Sequence, residues 1–322
     1  MASPSETPSK DELSLDGSPF LRVHKDGRVE RLIGTAIVPA GLDPATGVES
    51  RDVSITEDGS VRARLYVPQA ADPGKKIPLL VYFHGGGFCI ESAWSPTYHN
   101  YLNALVSEAT IVAVSVNYRL APEHHLPTAY DDSWAAIKWI AAPETDPWLV
   151  QFADLNRVYI SGDSAGGNIA HHMCIRLGTE PLPGVTLAGA ILVDPFFWGE
   201  ERIGGESARD KAIPEFLNNL WKLAIPSLKS YDHPWINPGI EPERLRMIAC
   251  ERVLVCVAGA DLYMCDRGEA YCETLRRSGW GGSVEMFRSE GVGHVFHLED
   301  PASELAVKLM KKVVEFINEG SA

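Results

Sequence analysis

The chain has 322 residues, of which 45% are hydrophobic, and a formal net charge of −14. This length suits one large α/β domain or two smaller ones, and the composition is that of a globular protein with a substantial core. The acidic balance argues against a nucleic-acid or anionic-membrane surface, and no apolar run approaches the roughly 20 residues of a membrane span.

The N-terminal stretch from residue 1 to residue 17 is rich in Ser, Pro, Glu and Asp and lacks a secretory pattern, so it predicts a disordered tail. The six cysteines are scattered without a C-x-x-C pair, which favours buried thiols and a reducing compartment over disulfides or zinc. No N-x-[ST] acceptor occurs. We therefore expect a cytoplasmic protein.

Two early segments carry strand signals. A hairpin is predicted from Leu21 to Leu32, because Asp26-Gly27 separates two alternating segments. The segment from Val61 to Val67 alternates strictly between apolar and polar residues. This pattern predicts a strand with one solvent-exposed face, near the edge of a sheet.

The strands that follow are continuous apolar runs, which is typical of strands covered on both faces. They cover residues 78–83, 111–116, 188–193 and 253–257, and helical patterns cover residues 130–141, 266–278 and 302–317. This alternation predicts an α/β fold for residues 18–322, with a mostly parallel central sheet, helices on both faces and ligands at the carboxyl ends of the strands.

Residues from about 200 to 240 interrupt this rhythm with short helical fragments and a loop rich in Pro and Asn. We interpret this region as an insertion over the top of the sheet. Together with the N-terminal segment it is predicted to form a helical cap above the site.

The stretch from Gly162 to Gly166 reads Gly-Asp-Ser-Ala-Gly and lies between a β-branched run and a helical pattern. A strand, a tight glycine-flanked turn and a helix are the context of a G-x-S-x-G nucleophile elbow. The sequence therefore predicts Ser164 as a nucleophile, which needs a general base within hydrogen-bond reach.

In an α/β-hydrolase the acid and the histidine follow the serine in that order. His294 stands in a glycine loop after a predicted strand and before a long helix, so we favour it as the base over His297. Asp261, just beyond a strand, is assigned as the acid that orients the imidazole. Asp266 has a capping-box spacing with Glu269, and Asp194 is a rival acid that could simply end a strand.

The stretch from His84 to Phe88 reads His-Gly-Gly-Gly-Phe and follows a buried strand. Glycines at a strand exit let backbone N–H groups face a ligand, and an HGGG turn supplies oxyanion donors in lipases and esterases. A plain linker is the alternative, whereas a phosphate loop would need a following Lys-Ser or Lys-Thr. We predict the N–H groups of Gly86, Gly87 and Ala165 as the donors.

Aromatic residues in loops near the strand ends predict an apolar substrate pocket, although core packing would explain each of them alone. The predicted pocket residues are Phe88, Trp94, Phe197 and Tyr263. Adjacent histidines, as at 124–125 and 171–172, point apart on regular structure, so no metal site and no cofactor are predicted.

Taken together, these motifs resemble the hormone-sensitive-lipase group of α/β-hydrolases. The residues that carry the resemblance are His84–Gly87, Tyr118–Glu123, Gly162–Asn168, Asp261 and His294. Two further stretches, Val23–Leu32 and Ser278–Trp280, resemble the plant carboxylesterases, a subgroup that also holds 2-hydroxyisoflavanone dehydratases and gibberellin receptors.

The resemblance implies a carboxylesterase for small acyl or aromatic esters, acting on a small-molecule substrate as a monomer or homodimer. The gibberellin receptors lose the triad histidine, whereas His294 is present here. Known dehydratases can carry Thr at the nucleophile position, whereas this chain carries Ser164. A dehydratase-like lyase, or a hormone-like binding protein with weak esterase activity, remains the alternative.

Overall fold

The computed structural model describes residues 13–142, 145–208 and 212–319. Within these ranges the chain forms a small sheet and a large central sheet. The small sheet contains β1 (Leu13–Gly17), β2 (Leu21–His24) and β3 (Val29–Arg31). The central sheet contains β4 (Leu42–Asp43), β5 (Val48–Ser54), β6 (Arg62–Pro68), β7 (Ile77–Phe83), β8 (Val112–Asn117), β9 (Ala153–Asp163), β10 (Leu187–Val193), β11 (Arg252–Ala258) and β12 (Ser283–Ser289).

The central sheet has the strand order β12-β11-β10-β9-β7-β8-β6-β5-β4. Neighbours from β12 to β8 run parallel, whereas β6, β5 and β4 pair antiparallel. Strands β7, β8, β10 and β11 are almost wholly buried, as their continuous apolar runs predicted, whereas the parallel edge strand β12 is largely exposed.

Helices cover both faces of this sheet. They are α1 (Pro96–Ala109), α2 (Thr128–Ala141), α3 (Pro147–Phe152), α4 (Ala165–Thr179), α5 (Ala212–Ala224), α6 (Met264–Arg277), α7 (Phe296–Glu299) and α8 (Glu304–Glu319). Apolar side chains of α2, α4 and α6 belong to one buried cluster, and those of α1 and α8 belong to another. The predicted α/β fold with a mostly parallel, doubly covered sheet is confirmed.

The prediction of an edge strand at Val61–Val67 is wrong. Strand β6 lies inside the sheet between β8 and β5, and only its first residue is exposed. The alternation that suggested a wet face comes from Arg64, which is 1% exposed. Its Nε donates to Asp52 Oδ1 at 2.7 Å, so a charged side chain is buried here because it is paired.

The N-terminal segment also differs from the prediction. Leu13–Gly17 form β1, which pairs antiparallel with β2, so the predicted disordered tail is wrong for these residues. The rest of that tail, residues 1–12, lies outside the described residues. The hairpin of β2 and β3 is confirmed, with Val23 opposite Val29 across the Asp26-Gly27 turn.

The N-terminal segment and the 200–240 region meet above the carboxyl ends of the strands. The rings of Phe20, just before β2, and Phe216, on α5, are 5.1 Å apart in an edge-to-face contact. Both residues line the same cavity as Ser164. The fold therefore places two segments that are distant in sequence on one wall of this cavity.

Candidate active site

Ser164 occupies a sharp turn between β9 and α4. Its backbone has φ of 50° and ψ of −119°, a conformation that non-glycine residues rarely adopt. A Cβ on Gly166 would lie 1.9 Å from the carbonyl oxygen of Phe83, so only glycine allows β7 to approach the turn this closely. The Ser164 N–H donates to Val193 O at 2.9 Å. Backbone contacts to two neighbouring strands thus hold Ser164 where it lines the cavity.

His294 and Asp261 form a direct hydrogen bond. His294 Nδ1 and Asp261 Oδ2 are 2.6 Å apart. The other carboxylate oxygen, Asp261 Oδ1, accepts the backbone N–H groups of Tyr263 and Met264 at 3.2 and 3.1 Å. Asp261 is therefore fixed in orientation, and it leaves Nε2 of His294 as the ring nitrogen that can serve Ser164. All three predicted residues line one cavity.

Neighbouring carboxylates set the charge of His294. Burial opposes protonation, but the hydrogen bond and charge of Asp261, with the charges of Asp194 and Asp163, outweigh it and raise the pKa of His294 to about 9. Burial raises the pKa of Asp261, yet the bond to His294 and the two backbone N–H groups keep it below its ordinary value. The pair is thus built to stabilise a positively charged imidazole.

Asp194, the rival acid, has a different place. Its Oδ1 accepts the N–H of Ala258 at 2.7 Å, and its Oδ2 accepts the N–H of Val295 at 2.9 Å. Burial raises the pKa of Asp194 to about 6. Asp194 and Val295 both have positive φ, at 43° and 48°. Asp194 therefore ties the ends of β10 and β11 to the loop that carries His294.

His297, the alternative base, lies on α7 with its ring 5.3 Å from that of Tyr101. It is 3% exposed and does not line the cavity that holds Ser164. Burial lowers the pKa of His297 to about 3. Of the two histidines, His294 is the one whose position suits a base.

The glycine loop after β7 forms the facing wall. Gly86 has φ of 96°, and a Cβ there would lie 2.4 Å from the carbonyl oxygen of Ile90, so the turn requires glycine. Gly86 and Gly87 line the cavity beside Ser164. Ala165 is the first residue of α4, where backbone N–H groups lack partners within the helix. The structure thus brings the three predicted donor residues around Ser164.

A buried tyrosine network joins the glycine loop to the nucleophile turn, and the sequence analysis missed it. Tyr98 Oη accepts the N–H of Gly85 at 2.8 Å and donates to Asp163 Oδ2 at 2.9 Å. Tyr82 Oη donates to Asp163 Oδ1 at 2.8 Å. Burial raises the pKa of Asp163 to about 6, although both hydroxyls oppose the shift. The acidic residue inside the G-x-S-x-G motif was the available signal, since a buried carboxylate requires donors.

The cavity has a volume of about 470 Å³ and a mostly apolar wall. Its apolar lining includes Phe20, Ile90, Phe196, Phe216, Leu217, Leu220 and Tyr263. Of the four predicted pocket residues, only Tyr263 is among the lining residues.

The prediction is wrong for Phe88, Trp94 and Phe197. Phe88 is 1% exposed and packs 5.5 Å from the ring of Trp221. Trp94 stacks under the guanidinium of Arg62, and Phe197 packs 5.0 Å from Tyr271. After β10 it is Phe196, the neighbour of Phe197, that lines the cavity.

Asp194, Asp261 and His294 are the one group in the described chain whose donor atoms are spaced closely enough for a metal, within 4.8 Å of one another. Their hydrogen bonds account for this cluster, since Asp194 binds two backbone N–H groups and Asp261 binds His294. His171 and His172 bond separately, to Tyr271 Oη at 3.0 Å and to Trp235 O at 3.3 Å. Each of these side chains therefore has a hydrogen-bond partner within the protein.

Comparisons with known proteins agree on the fold. A family profile described as the alpha/beta hydrolase fold matches residues 80–298. Tuliposide A-converting enzyme 2, chloroplastic, from Tulipa gesneriana is 45% identical over 98% of this chain and 81% of its own length. Probable carboxylesterase 2 from Arabidopsis thaliana is 44% identical over 98% of this chain and 99% of its own length.

Solved structures give the same picture. The hyperthermophilic esterase from Pyrobaculum calidifontis superposes with a TM-score of 0.71 at 26% identity, covering 85% of this chain and 87% of that one. A thermostable carboxylesterase cloned from a metagenomic library gives a TM-score of 0.70 at 27% identity, covering 88% of this chain and 91% of that one.

The prediction of a cytoplasmic protein is wrong on this comparison. The tuliposide A-converting relatives are named as chloroplastic or amyloplastic. The prediction rested on unpaired cysteines, and the six cysteines are indeed free and buried, but this feature does not distinguish one compartment without disulfides from another. No helix of the described chain has the length and apolarity needed to cross a bilayer.

Proposed function

The chain belongs to the α/β-hydrolase family, and we propose that it is a carboxylesterase that acts through Ser164, His294 and Asp261 and an acyl-enzyme intermediate. The observation that carries the proposal is the 2.6 Å bond between His294 Nδ1 and Asp261 Oδ2, in a cavity that both share with Ser164. The names of the similar proteins, among them carboxylesterases and esterases, support an ester as the substrate.

In the first half of the reaction, His294 Nε2 takes the proton of the Ser164 hydroxyl as its oxygen attacks the ester carbonyl. Asp261 stabilises the imidazolium that forms. The N–H groups of Gly86, Gly87 and Ala165 bind the oxyanion, and each such donor typically contributes roughly 3–4 kcal/mol in the transition state. His294 then passes the proton to the alkoxide as the carbon–oxygen bond breaks, which releases the alcohol.

In the second half, His294 removes a proton from water, and the resulting hydroxide oxygen attacks the acyl carbon. Collapse of this second tetrahedral intermediate returns the proton to Ser164 and releases the carboxylic acid. The positive φ of Ser164 serves both halves, since the strained turn keeps the nucleophile beside the N-terminus of α4.

The substrate we propose is a small acyl or aromatic ester. The cavity of about 470 Å³ holds a group of this size, and its aromatic and aliphatic wall suits an apolar acyl chain or ring. The segment between β1 and β2, with Phe20, and helix α5, with Phe216, form the proposed cap over it. Because several relatives are named tuliposide A-converting enzymes, tuliposide A belongs in the substrate panel.

Neither alternative has a comparable observation behind it. A pure binding protein of the receptor type has no need of a bonded base and acid, whereas His294 and Asp261 are bonded here. A dehydratase-like lyase would need only the base and the oxyanion site, so the role of Ser164 separates it from the esterase.

The Ser164→Ala variant tests the proposal with p-nitrophenyl butyrate as substrate. We expect kcat to fall by at least about 10³-fold, since the nucleophile is lost while binding remains. Ser161→Ala is the matched control, because this serine lies three residues earlier, is 1% exposed and has an unbonded hydroxyl. Labelling of wild-type protein with an organophosphate should add one adduct at Ser164. Near-normal turnover by Ser164→Ala, or no ester hydrolysis by the wild type, would overturn the proposal.

A further inference from the structure

We propose that Glu91 is a specificity-determining residue that makes the cavity reject negatively charged esters and favour esters whose acyl or alcohol group ends in a hydrogen-bond donor. This inference rests on the proposed ester hydrolysis and concerns which esters are accepted. It starts from the charges of the cavity wall. The wall has carboxylates at Glu91, Asp163, Asp261 and Glu299, and no Lys or Arg of the described chain is among its lining residues. His294 also lines the cavity, but its charge is paired with Asp261.

Two of these carboxylates have their partners within the protein. Asp163 accepts the hydroxyls of Tyr82 and Tyr98, and Asp261 binds His294 and two backbone N–H groups. Their oxygens are occupied before any substrate enters. Glu299, at the end of α7, is exposed, so water screens it. Glu91 is the remaining carboxylate, and it is half-buried.

The position of Glu91 follows from the glycine loop. It comes four residues after Gly87, directly beyond the turn at residues 86–90, and its backbone has a positive φ of 71°. A Cβ on Gly34 would lie 2.9 Å from Glu91 Oε1, which places the carboxylate between the glycine loop and the N-terminal segment. Ile33, next to Gly34, also lines the cavity. Glu91 thus lies where the oxyanion wall meets the cap.

The cation that could neutralise Glu91 is already engaged. Arg31 binds the carbonyl oxygen of Cys89 at 2.7 Å, two residues before Glu91. Its two terminal nitrogens bind Glu123 in a bidentate pair at 2.8 and 2.7 Å. No ion pair to Glu91 occurs within the described chain, so no cation of the protein pairs with the charge of this lining residue.

A half-buried carboxylate without a cation has a clear effect on ligands. Low-dielectric walls strengthen its field, so a substrate carboxylate entering the same cavity is repelled. A hydroxyl or ammonium group can instead donate to its oxygens, and charge-assisted hydrogen bonds of this kind are stronger than neutral ones. Selection by Glu91 therefore acts on the distal polar group of the substrate and leaves the reacting carbonyl to Ser164.

Four p-nitrophenyl esters that share a six-carbon acyl chain test this inference. They are the hexanoate, the 6-hydroxyhexanoate, the 6-aminohexanoate and the mono-adipate, which differ only in the terminal group. The measured quantity is kcat/KM for each polar ester divided by kcat/KM for the hexanoate. For the wild type we expect this ratio to be roughly tenfold lower for the adipate than for the hydroxy or ammonium esters.

The Glu91→Gln variant keeps the size and one acceptor oxygen but removes the charge. We expect it to raise the adipate ratio by roughly five- to tenfold and to lower the ammonium ratio by a similar factor. Glu315→Gln, which removes an equal charge from the surface of α8, should leave all ratios unchanged. Because each ratio is taken within one variant, a partial loss of folding cancels.

The outcomes separate the two proposals. Hydrolysis of the hexanoate by the wild type, and its loss in Ser164→Ala, would support the proposed function. The inference about Glu91 would still be overturned if the kcat/KM ratio for the adipate equalled the ratio for the 6-hydroxyhexanoate, or if Glu91→Gln left the adipate ratio unchanged. If the wild type fails to hydrolyse the hexanoate, both are overturned. If Glu91→Gln changes the ratio for the 6-aminohexanoate but not the ratio for the 6-hydroxyhexanoate, the hydrogen-bond donor that Glu91 favours is a cation.

Discussion

The strand ends and the two segments of the proposed cap border the same cavity, but they are built from different interactions. At the strand ends each buried carboxylate accepts several directed hydrogen bonds, as at Asp163, Asp194 and Asp261. Ser164 and Val295 hold positive φ there. The cap contributes apolar contacts instead, such as the edge-to-face pair of Phe20 and Phe216.

This difference has a consequence for how each region tolerates change. A directed hydrogen bond depends on one atom in one orientation, and a buried polar group left without its partner is costly. An apolar contact depends on area, which neighbouring side chains partly replace. Substitutions at the strand ends should therefore affect the chemical step by orders of magnitude, whereas substitutions in the cap should affect substrate binding by small factors.

The largest effect is expected for Asp261→Asn. The amide would present an N–H or a weaker acceptor to His294 Nδ1, so the imidazole would lose both its orientation and the charge that stabilises its protonated form. We expect kcat/KM for p-nitrophenyl butyrate to fall by about 10³- to 10⁴-fold. Asp131→Asn, on the exposed side of α2, is the matched control. Retention of a tenth of the activity would show that the strand ends tolerate change as the cap does.

Asp194→Asn should have a smaller but still large effect. Both oxygens of Asp194 accept backbone N–H groups, from Ala258 and Val295, so an amide nitrogen at either place would face another donor. The loop that carries His294 would shift, and we expect kcat/KM to fall by about 10- to 100-fold.

The pH profile distinguishes positioning by Asp194 from a purely structural role. In the proposed mechanism His294 must be neutral to accept the proton of Ser164. Because its pKa is raised to about 9, kcat/KM of the wild type should rise with pH on the alkaline side of neutrality. Removing the charge of Asp194 lowers this pKa, so the rise should move to lower pH. A loss of activity with an unmoved profile would leave Asp194 as a scaffold alone.

At the strand ends, the sequence pointed to residues that the structure brings into one cavity. Ser164, Asp261 and His294 each follow a strand within a few residues, and the glycines beside Ser164 are required by the turn itself, so local sequence carries the information. The tyrosine network was missed because it depends on distance in space: Tyr82 and Asp163 bond across 81 residues. No local pattern relates two such positions.

Predictions that concerned side-chain direction were less successful. Phe196 and Phe197 are adjacent, and which of them faces the cavity is decided by the backbone after β10. The polar Arg64 suggested a wet strand face because its partner Asp52 lies on another strand. A hydrophobic pattern reports burial only where polar residues are unpaired, so it fails where a buried ion pair replaces an apolar contact.

The smallest effect is expected in the cap, for Phe216→Ala. The substitution removes the ring that meets Phe20 at 5.1 Å, and aromatic pairs of this kind contribute about 1 kcal/mol. We expect KM for p-nitrophenyl butyrate to rise by about three- to tenfold while kcat changes by less than about twofold, because the machinery at Ser164 is untouched. The space left by the ring should favour a longer ester such as the decanoate relative to the butyrate. Val307→Ala, exposed on α8, is the control for loss of an apolar side chain elsewhere. If Phe216→Ala instead lowered kcat a hundredfold with KM unchanged, the cap would take part in the chemical step. The two regions would then not differ in the way proposed, with the strand ends acting on the chemical step and the cap on substrate binding.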